Sequence, residues 1–209
     1  MKLAVLSESS ADEAAVRVLV DGLLDRQTRL IAFSLRTRGW PAVFRELPAV
    51  LRELHYHREA EGLVVVMDSD FSPVHRVAHE QPDGADAKCR LCRLRQIAAQ
   101  VQAQLRPVAG RPPLKTAFGV AVPTVEAWYR SGLDPRVTEA AWILGLQSQS
   151  FLYTKNSLKQ DVYGTDRPSL ALETSRATEA AQRLVQNLPL LESLFPTGFE
   201  SLARDVRSW

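Results

Sequence analysis

Short apolar runs alternate with longer amphipathic segments along the first two thirds of the chain. Four of these runs have the length and composition of β-strands, and they occupy residues 2–9, 28–36, 62–70 and 114–123. The third contains an unbroken apolar stretch from Leu63 to Met67, which is typical of a parallel strand with both faces buried. The pattern therefore predicts a sheet whose third strand is covered on both sides.

The segments between these runs are typical of helices. In residues 11–27, for example, Ala15, Leu19 and Leu23 recur at helical spacing. Similar signals predict helices at 41–60, 88–105 and 124–132. Strands and helices that alternate in this way predict an α/β fold, a mostly parallel sheet flanked by helices. Right-handed crossovers then bring the carboxyl ends of the strands to one edge of the sheet.

The alternation of strands and helices stops near residue 133. From Asp134 onward the sequence shows only helical patterns. We therefore predict an α/β domain at 1–133, which contains a long loop at 70–88, and a C-terminal helical extension at 134–209 that packs on the same domain.

Composition and charge indicate an ordinary globular protein. Of the 209 residues, 45% are apolar and 24% are charged, and the net charge is +2, which neither requires nor excludes a polyanionic partner. No apolar run approaches the roughly 20 residues of a membrane span. The N-terminus is typical of a first strand and not of a signal peptide. Two cysteines without an export signal favour a cytoplasmic location.

Acidic residues follow three of the predicted strands. Glu8 ends the first, Asp68 and Asp70 end the third, and Glu126 follows the fourth. Residues two apart in a strand face the same way, so Asp68 and Asp70 should point together at the edge where parallel sheets bind ligands. Asp12, one helical turn beyond Glu8, can face the same place.

Five carboxylates at one edge would repel one another unless they were protonated or bound a cation. Oxygen ligands of this kind match Mg²⁺ or Mn²⁺. Each acid taken alone could equally be a helix cap or a solvated loop residue. This holds above all for Asp12, because a helix dipole favours an Asp in its first turn.

The order of these motifs resembles the Toprim domain of topoisomerases, primases and nucleases. In that domain a Glu follows the first strand and an Asp-x-Asp follows a later hydrophobic strand, as Glu8 and the pair Asp68 and Asp70 do here. The resemblance implies a Toprim-like, Rossmann-like fold.

The likeness is closer to Toprim nucleases of the OLD (overcoming lysogenisation defect) type and their small stand-alone relatives. Their Glu-x3-Asp matches Glu8 and Asp12, and their Ser-x-Glu matches "TVE", with Thr124 in place of Ser and Glu126 as the acid. A later Lys completes the family's site. The segment "YTKNSLKQDVYG" offers Lys159, which we prefer, and Lys155.

The resemblance implies a metal-dependent nuclease that hydrolyses phosphodiester bonds in DNA. Glu8 and Asp68 would be core ligands of one or two ions, and Asp70 and Glu126 would complete the coordination. Glu8 could instead act as a general acid or base. Lys159 would offset negative charge that develops on the phosphate.

The resemblance also implies a biological setting. OLD proteins carry an ATPase domain before the Toprim part, whereas this chain has no Gly-x-x-x-x-Gly-Lys-[Ser/Thr] motif. Any ATPase would be a separate polypeptide, as in phage-defence systems that combine a small Toprim protein with a partner ATPase. Two alternatives stay open. One is a non-catalytic Toprim-like subunit that binds nucleic acid or protein, and the other is a phosphoryl-transfer enzyme that acts on a small phosphate ester.

Histidine and cysteine residues form a second motif in the long loop. His75 and His79 are followed by Cys89 and Cys92, and these ligand types in pairs suit tetrahedral Zn²⁺. Zinc would hold a long loop beside the acidic edge in one shape. The alternative is two loop histidines and two half-buried helix cysteines that bind nothing, and a redox pair is less well supported.

Basic residues surround this second motif. A positive surface beside an acidic metal site would suit a nucleic-acid backbone, although a solvated basic surface is an equally good interpretation. The candidates are Arg76, Lys88, Arg90, Arg93 and Arg95.

Overall fold

The computed structural model describes residues 1–32, 39–81 and 83–209. Within this part of the chain, four strands form one parallel sheet in the order β2-β1-β3-β4. The predicted α/β fold with a parallel sheet flanked by helices is therefore confirmed. The strands are β1 (Lys2–Leu6), β2 (Arg29–Leu30), β3 (Gly62–Asp68) and β4 (Lys115–Ala121).

The helices lie where the helical patterns predicted them, with shorter bounds. They are α1 (Ser10–Leu23), α2 (Trp40–His57), α3 (Arg90–Gln102), α4 (Val125–Arg130), α5 (Glu139–Ser148), α6 (Lys155–Tyr163), α7 (Leu170–Val185), α8 (Leu188–Leu194) and α9 (Phe199–Arg207). The loop between β3 and α3 contains a short 3-10 helix at Val77–Glu80. No helix of the described chain combines the length and the apolar character needed to cross a membrane.

Strand β3 explains the unbroken apolar run. Leu63, Val65 and Met67 pack in a core that α2 and α3 cover. Val64 and Val66 point the other way, into a core shared with α1, α4 and the C-terminal helices. Because alternate side chains are buried on opposite faces, every position needs an apolar residue. Burial of each such side chain contributes roughly 1.5–3 kcal/mol.

Strand β2 is shorter than the pattern predicted. Its described part is only Arg29–Leu30, and both residues are exposed at the edge of the sheet. Positions 33–36 of the predicted strand lie outside the described residues.

The helices after residue 134 pack around the same sheet. Helix α7 lies along α1, and α9 packs against β4. Phe199 and Leu202 of α9 are fully buried, and the ring of Phe199 meets that of Trp128 edge to face at 5.2 Å. These helices therefore cover one face of the sheet and close the core beside its carboxyl edge.

Candidate active site and adjoining metal-binding cluster

Two of the predicted acids meet at the carboxyl ends of the central strands β1 and β3. Glu8 lies in the loop after β1, and its Oε1 accepts a hydrogen bond of 2.9 Å from the backbone N–H of Asp68, the last residue of β3. Oδ1 of Asp68 in turn accepts from the N–H of Val125, the first residue of α4, at 3.1 Å. These two bonds hold together the loop after β1, the end of β3 and the start of α4.

Strand alternation does not explain why Asp70 lies beside Asp68. The strand ends at Asp68, and Asp70 adopts a left-handed backbone with φ of 49°. Its carboxylate is held by two cations: an Arg90 guanidinium nitrogen lies 2.8 Å from Oδ2, and Nζ of Lys155 hydrogen-bonds Oδ1. Lys155 also lies 3.4 Å from Oδ2 of Asp68. Asp68 and Asp70 therefore share one lysine.

The lysine at the acids is Lys155 and not Lys159, which the sequence argument preferred. Helix α6 begins at Lys155, where Thr154 caps it and Ser157 completes a capping box, so the first residue of the helix reaches the sheet edge. Lys159 lies one turn further along and acts on Glu173: burial raises the pKa of Glu173, and the charge of Lys159 opposes this rise.

Asp12 and Glu126 are the most deeply buried acids at this edge, with 8% and 3% of their surface exposed. Burial and the charge of Glu126 raise the pKa of Asp12 to about 7. Burial and the charges of Glu126 and Glu8 raise the pKa of Asp68 well above its usual value. Burial also raises the pKa of Glu8. Burial and mutual repulsion thus outweigh the effect of the nearby Lys155 on Glu8 and Asp68.

Unsatisfied hydroxyl groups adjoin the buried acids. The hydroxyls of Tyr129 and Thr124 are buried and have no hydrogen-bond partner among the described residues. Burial, followed by the charge of Asp12, raises the pKa of Tyr129. Buried polar groups without partners are rare in folded proteins. Buried acids and hydroxyls without partners among the described residues therefore lie at the same edge.

Asp70 differs from the other acids of this edge because Arg90 and Lys155 hold its carboxylate. Although burial opposes it, Lys155 and Arg90 lower the pKa of Asp70. Glu8, Asp12 and Asp68, by contrast, have raised pKa values. Within the part of the chain that the structure describes, the oxygens of these acids do not form a compact group of ligand atoms like the one described next.

The compact group of ligand atoms in the described chain consists of His75, His79, Cys89 and Cys92, with one atom from each residue and all four within 4.8 Å of one another. The cluster could bind a metal such as zinc, as the sequence predicted. Burial raises the pKa of the Cys89 thiol to about 11, which disfavours a reactive thiolate and hence the redox alternative.

A groove of about 580 Å³ opens beside Asp70. Both cations and aromatic rings line it: the guanidinium of Arg90 lies 4.5 Å from the ring centre of Trp40, and that of Arg93 lies 4.3 Å from the ring of Phe44. We call it the basic groove, and its charged and aromatic lining is Trp40, Phe44, Asp70, Phe71, Lys88, Arg90 and Arg93.

Three of the five predicted basic residues thus line one surface. Arg76 is exposed but lies outside the lining of the groove. Arg95 is turned inward, where its guanidinium donates to Oγ of Ser201 at 2.7 Å and lies 3.7 Å from Asp205. Arg95 therefore joins α3 to α9 and is not available to a ligand.

The aromatic residues of the basic groove were missed by the sequence argument. Trp40 is 37% exposed and Phe71 is 67% exposed, which is unusual for rings of this size. Phe71 directly follows Asp70, so an aromatic residue after the acidic motif was the available signal. Trp128 and Trp142, by contrast, are buried in the core.

Comparison of the chain with protein-family models, curated proteins and solved structures finds no match. The resemblance to Toprim nucleases therefore remains a hypothesis that rests on the motifs and on the geometry described above.

Asp12→Asn is expected to change how the stability of the protein depends on pH. The folded state holds the Asp12 proton up to about pH 7, whereas the unfolded chain loses it near pH 4. Stability from the protonated form is therefore complete below about pH 4 and is lost as the pH rises through 7. Between pH 5 and 8 the loss is about 3 kcal/mol.

Urea unfolding of the wild type and the Asp12→Asn variant at pH 5 and pH 8, without added divalent ions, measures this difference. An amide cannot ionise, so the variant should gain stability relative to the wild type by up to that amount at the higher pH. Parallel pH profiles for the two proteins would contradict the assignment of Asp12 as a buried acid with a raised pKa.

Proposed function

We propose that this protein is a divalent-metal-dependent nuclease that hydrolyses phosphodiester bonds in DNA. The observation that carries the proposal is the convergence of Glu8, Asp68 and Asp70 with Lys155 at the carboxyl edge of a parallel sheet. This edge is where open α/β sheets bind ligands, and these four residues come from three separate parts of the chain.

Glu8 and Asp68 are the proposed core ligands of Mg²⁺ or Mn²⁺, with Glu126 and Asp70 completing the coordination. A bound ion of this kind supplies an activated water and stabilises the charge on the phosphate. Burial raises the pKa of Glu8, which is the direction that a carboxyl needs in order to act as a general acid or base. Asp12 is buried at the same edge and is the further acid that we propose for the metal site.

Lys155 is the proposed cation for the scissile phosphate. Although burial opposes it, Asp68 and Asp70 raise the pKa of Lys155, so its ammonium stays charged. A fixed positive charge at this position stabilises the negative charge that grows on the phosphate oxygens in the transition state.

The basic groove supports a nucleic acid as the substrate. It starts at Asp70 and carries the exposed cations Lys88 and Arg93, which can neutralise backbone phosphates. The exposed faces of Trp40 and Phe71 offer surfaces on which bases stack. A small phosphate ester would need neither a groove of this size nor the aromatic rings.

The proposed setting follows from the resemblance to OLD-type nucleases. We propose that the protein acts in the cytoplasm, where its two free thiols stay reduced, together with a separate ATPase in phage defence. The proposal for the nuclease site does not depend on this setting.

Incubation of the purified protein with supercoiled plasmid tests the function. We expect nicked and then linear DNA with Mn²⁺ or Mg²⁺, and intact plasmid when neither ion is added. Salt-sensitive binding of DNA without cleavage would contradict the nuclease proposal and favour a non-catalytic binding subunit. Hydrolysis of a small aryl phosphate with intact plasmid would instead favour a phosphoryl-transfer enzyme.

A further inference from the structure

We propose that His75, His79, Cys89 and Cys92 form a closed, structural zinc site that fixes the loop between β3 and α3. The distances between their ligand atoms carry the proposal. Nδ1 of His75 lies 3.6 Å from Sγ of Cys89 and 3.5 Å from Sγ of Cys92. Nδ1 of His79 lies 3.6 Å from the same Cys92 sulfur.

These separations match the distances between ligand atoms in a tetrahedral zinc site. With Zn–S of about 2.3 Å and Zn–N of about 2.05 Å, tetrahedral angles place nitrogen and sulfur ligands about 3.6 Å apart. The three measured distances agree with this value to within about 0.1 Å. All four ligand atoms lie within 4.8 Å of one another, so an ion can bind with little rearrangement.

Local structure brings the four residues together. Cys89 is the N-cap of α3, and Cys92 lies in its first turn, so the start of one helix supplies both sulfur atoms. His79 lies in the 3-10 helix, and its N–H donates to the carbonyl of Arg76. His75, Cys89 and Cys92 are buried. Four protein ligands with little exposure describe a structural site and not a catalytic one, which keeps a position for water.

The carboxylate of Glu80 contacts a histidine of the cluster. Oε1 of Glu80 lies 3.5 Å from Nε2 of His75, the ring nitrogen that faces away from the sulfurs. Nε2 has no other partner among the described residues. Arg204 of α9 holds the same oxygen of Glu80 at 2.9 Å. Metal-bound histidines commonly interact with a carboxylate in this way, and it orients the ring.

Without an ion, the polar atoms of the cluster cannot all form good hydrogen bonds. The sulfur of Cys92 faces two imidazole nitrogens, and Nδ1 of His75 faces two sulfurs, yet a thiol can donate only one weak hydrogen bond. A zinc ion would satisfy all four ligand atoms at once. It would also join two ends of a long loop, which is how small metal sites contribute folding energy.

The ion would fix the residue that supports Asp70. Arg90 follows Cys89 directly, and its buried guanidinium holds both the Asp70 carboxylate and the carbonyl oxygen of Asp68. Zinc therefore sets the position of Arg90, and through it the shape of the basic groove. The zinc site itself does not depend on whether the carboxylates cleave DNA.

Elemental analysis of protein purified without chelator or affinity tag tests the proposal. We expect about one zinc per chain in the wild type, and less than about a tenth of that in the double variant Cys89→Ser/Cys92→Ser. Two matched variants should keep their zinc: His57→Ala, which changes an exposed histidine of α2, and Asp68→Asn, which changes the carboxylate edge. Zinc retained by the cysteine variant, or absent from the wild type, would overturn the proposal.

Cobalt substitution provides a second readout that does not need the variant to fold. Wild-type protein reconstituted with Co²⁺ should show intense d–d bands of a tetrahedral ion and a sulfur-to-cobalt charge-transfer band. Weak bands of an octahedral ion, without charge transfer, would place the metal outside the two cysteines and contradict the site. A chelator that removes the metal should lower the melting temperature of the wild type and leave that of a folded cysteine variant unchanged.

Discussion

Asp68→Asn is expected to abolish DNA cleavage and to leave the fold intact. Asp68 is the residue to which most of the site is connected: it meets Glu8 through its backbone N–H, α4 through Oδ1 and Lys155 through Oδ2. Asn removes the negative charge that an ion needs and keeps the oxygen that accepts from Val125. Loss of one ligand of this kind costs several kcal/mol, which is about 10³-fold or more in rate.

The stability of the Asp68→Asn variant separates a catalytic role from a structural one. Because the buried carboxylate is repelled by Glu126 and Glu8, its removal should leave the free energy of unfolding at pH 8 unchanged or higher in the absence of divalent ions. Circular dichroism, urea unfolding and plasmid cleavage measured on the same sample test both parts. Glu59→Gln, at an exposed position just before β3, is the control and should cleave at the wild-type rate. Equal cleavage by Asp68→Asn would exclude the acids from the reaction.

The meeting of the acids was predictable because it follows from topology. A parallel sheet brings the carboxyl ends of its strands to one edge, so residues placed after β1, β3 and β4 must be neighbours whatever lies between them. The sequence predicted that Asp70 lies beside Asp68 at this edge. It did not predict the contacts that hold Asp70 there. The strand ends two residues earlier, and Arg90 and Lys155, which come much later in the chain, hold the side chain.

Contacts between distant segments account for the rest of what the sequence argument missed. Arg95 pairs with Glu80, 15 residues earlier, and with Ser201 of α9, 106 residues later, and no local pattern marks these contacts. The basic groove depends on α2 and α3 lying side by side, which places Trp40 against Arg90. The choice of lysine, however, had a local signal: Thr154 and Ser157 form a capping box, and such a motif predicts that the helix starts at Lys155.

The paired variants Lys155→Gln and Lys159→Gln are expected to differ in activity by about 10²–10³-fold, which is the usual cost of losing one group that stabilises transition-state charge. Lys155 contacts Asp68 and Asp70, whereas Lys159 acts on Glu173 outside this group. Both variants remove one positive charge from the same helix, so each controls for the effect of the other on net charge and on α6.

Metal binding distinguishes the proposed role of Lys155 from a purely structural one. The ammonium of Lys155 repels a cation that approaches Asp68, so Lys155→Gln should bind Mn²⁺ more tightly in calorimetry even as cleavage falls. Lys159→Gln should match the wild type in both measurements. A structural lysine would give the opposite pattern, because its loss would disorder Asp70 and weaken metal binding together with activity. Equal cleavage by the two variants would contradict a role for Lys155 in the reaction. The choice between Lys155 and Lys159 would then rest on the family resemblance alone.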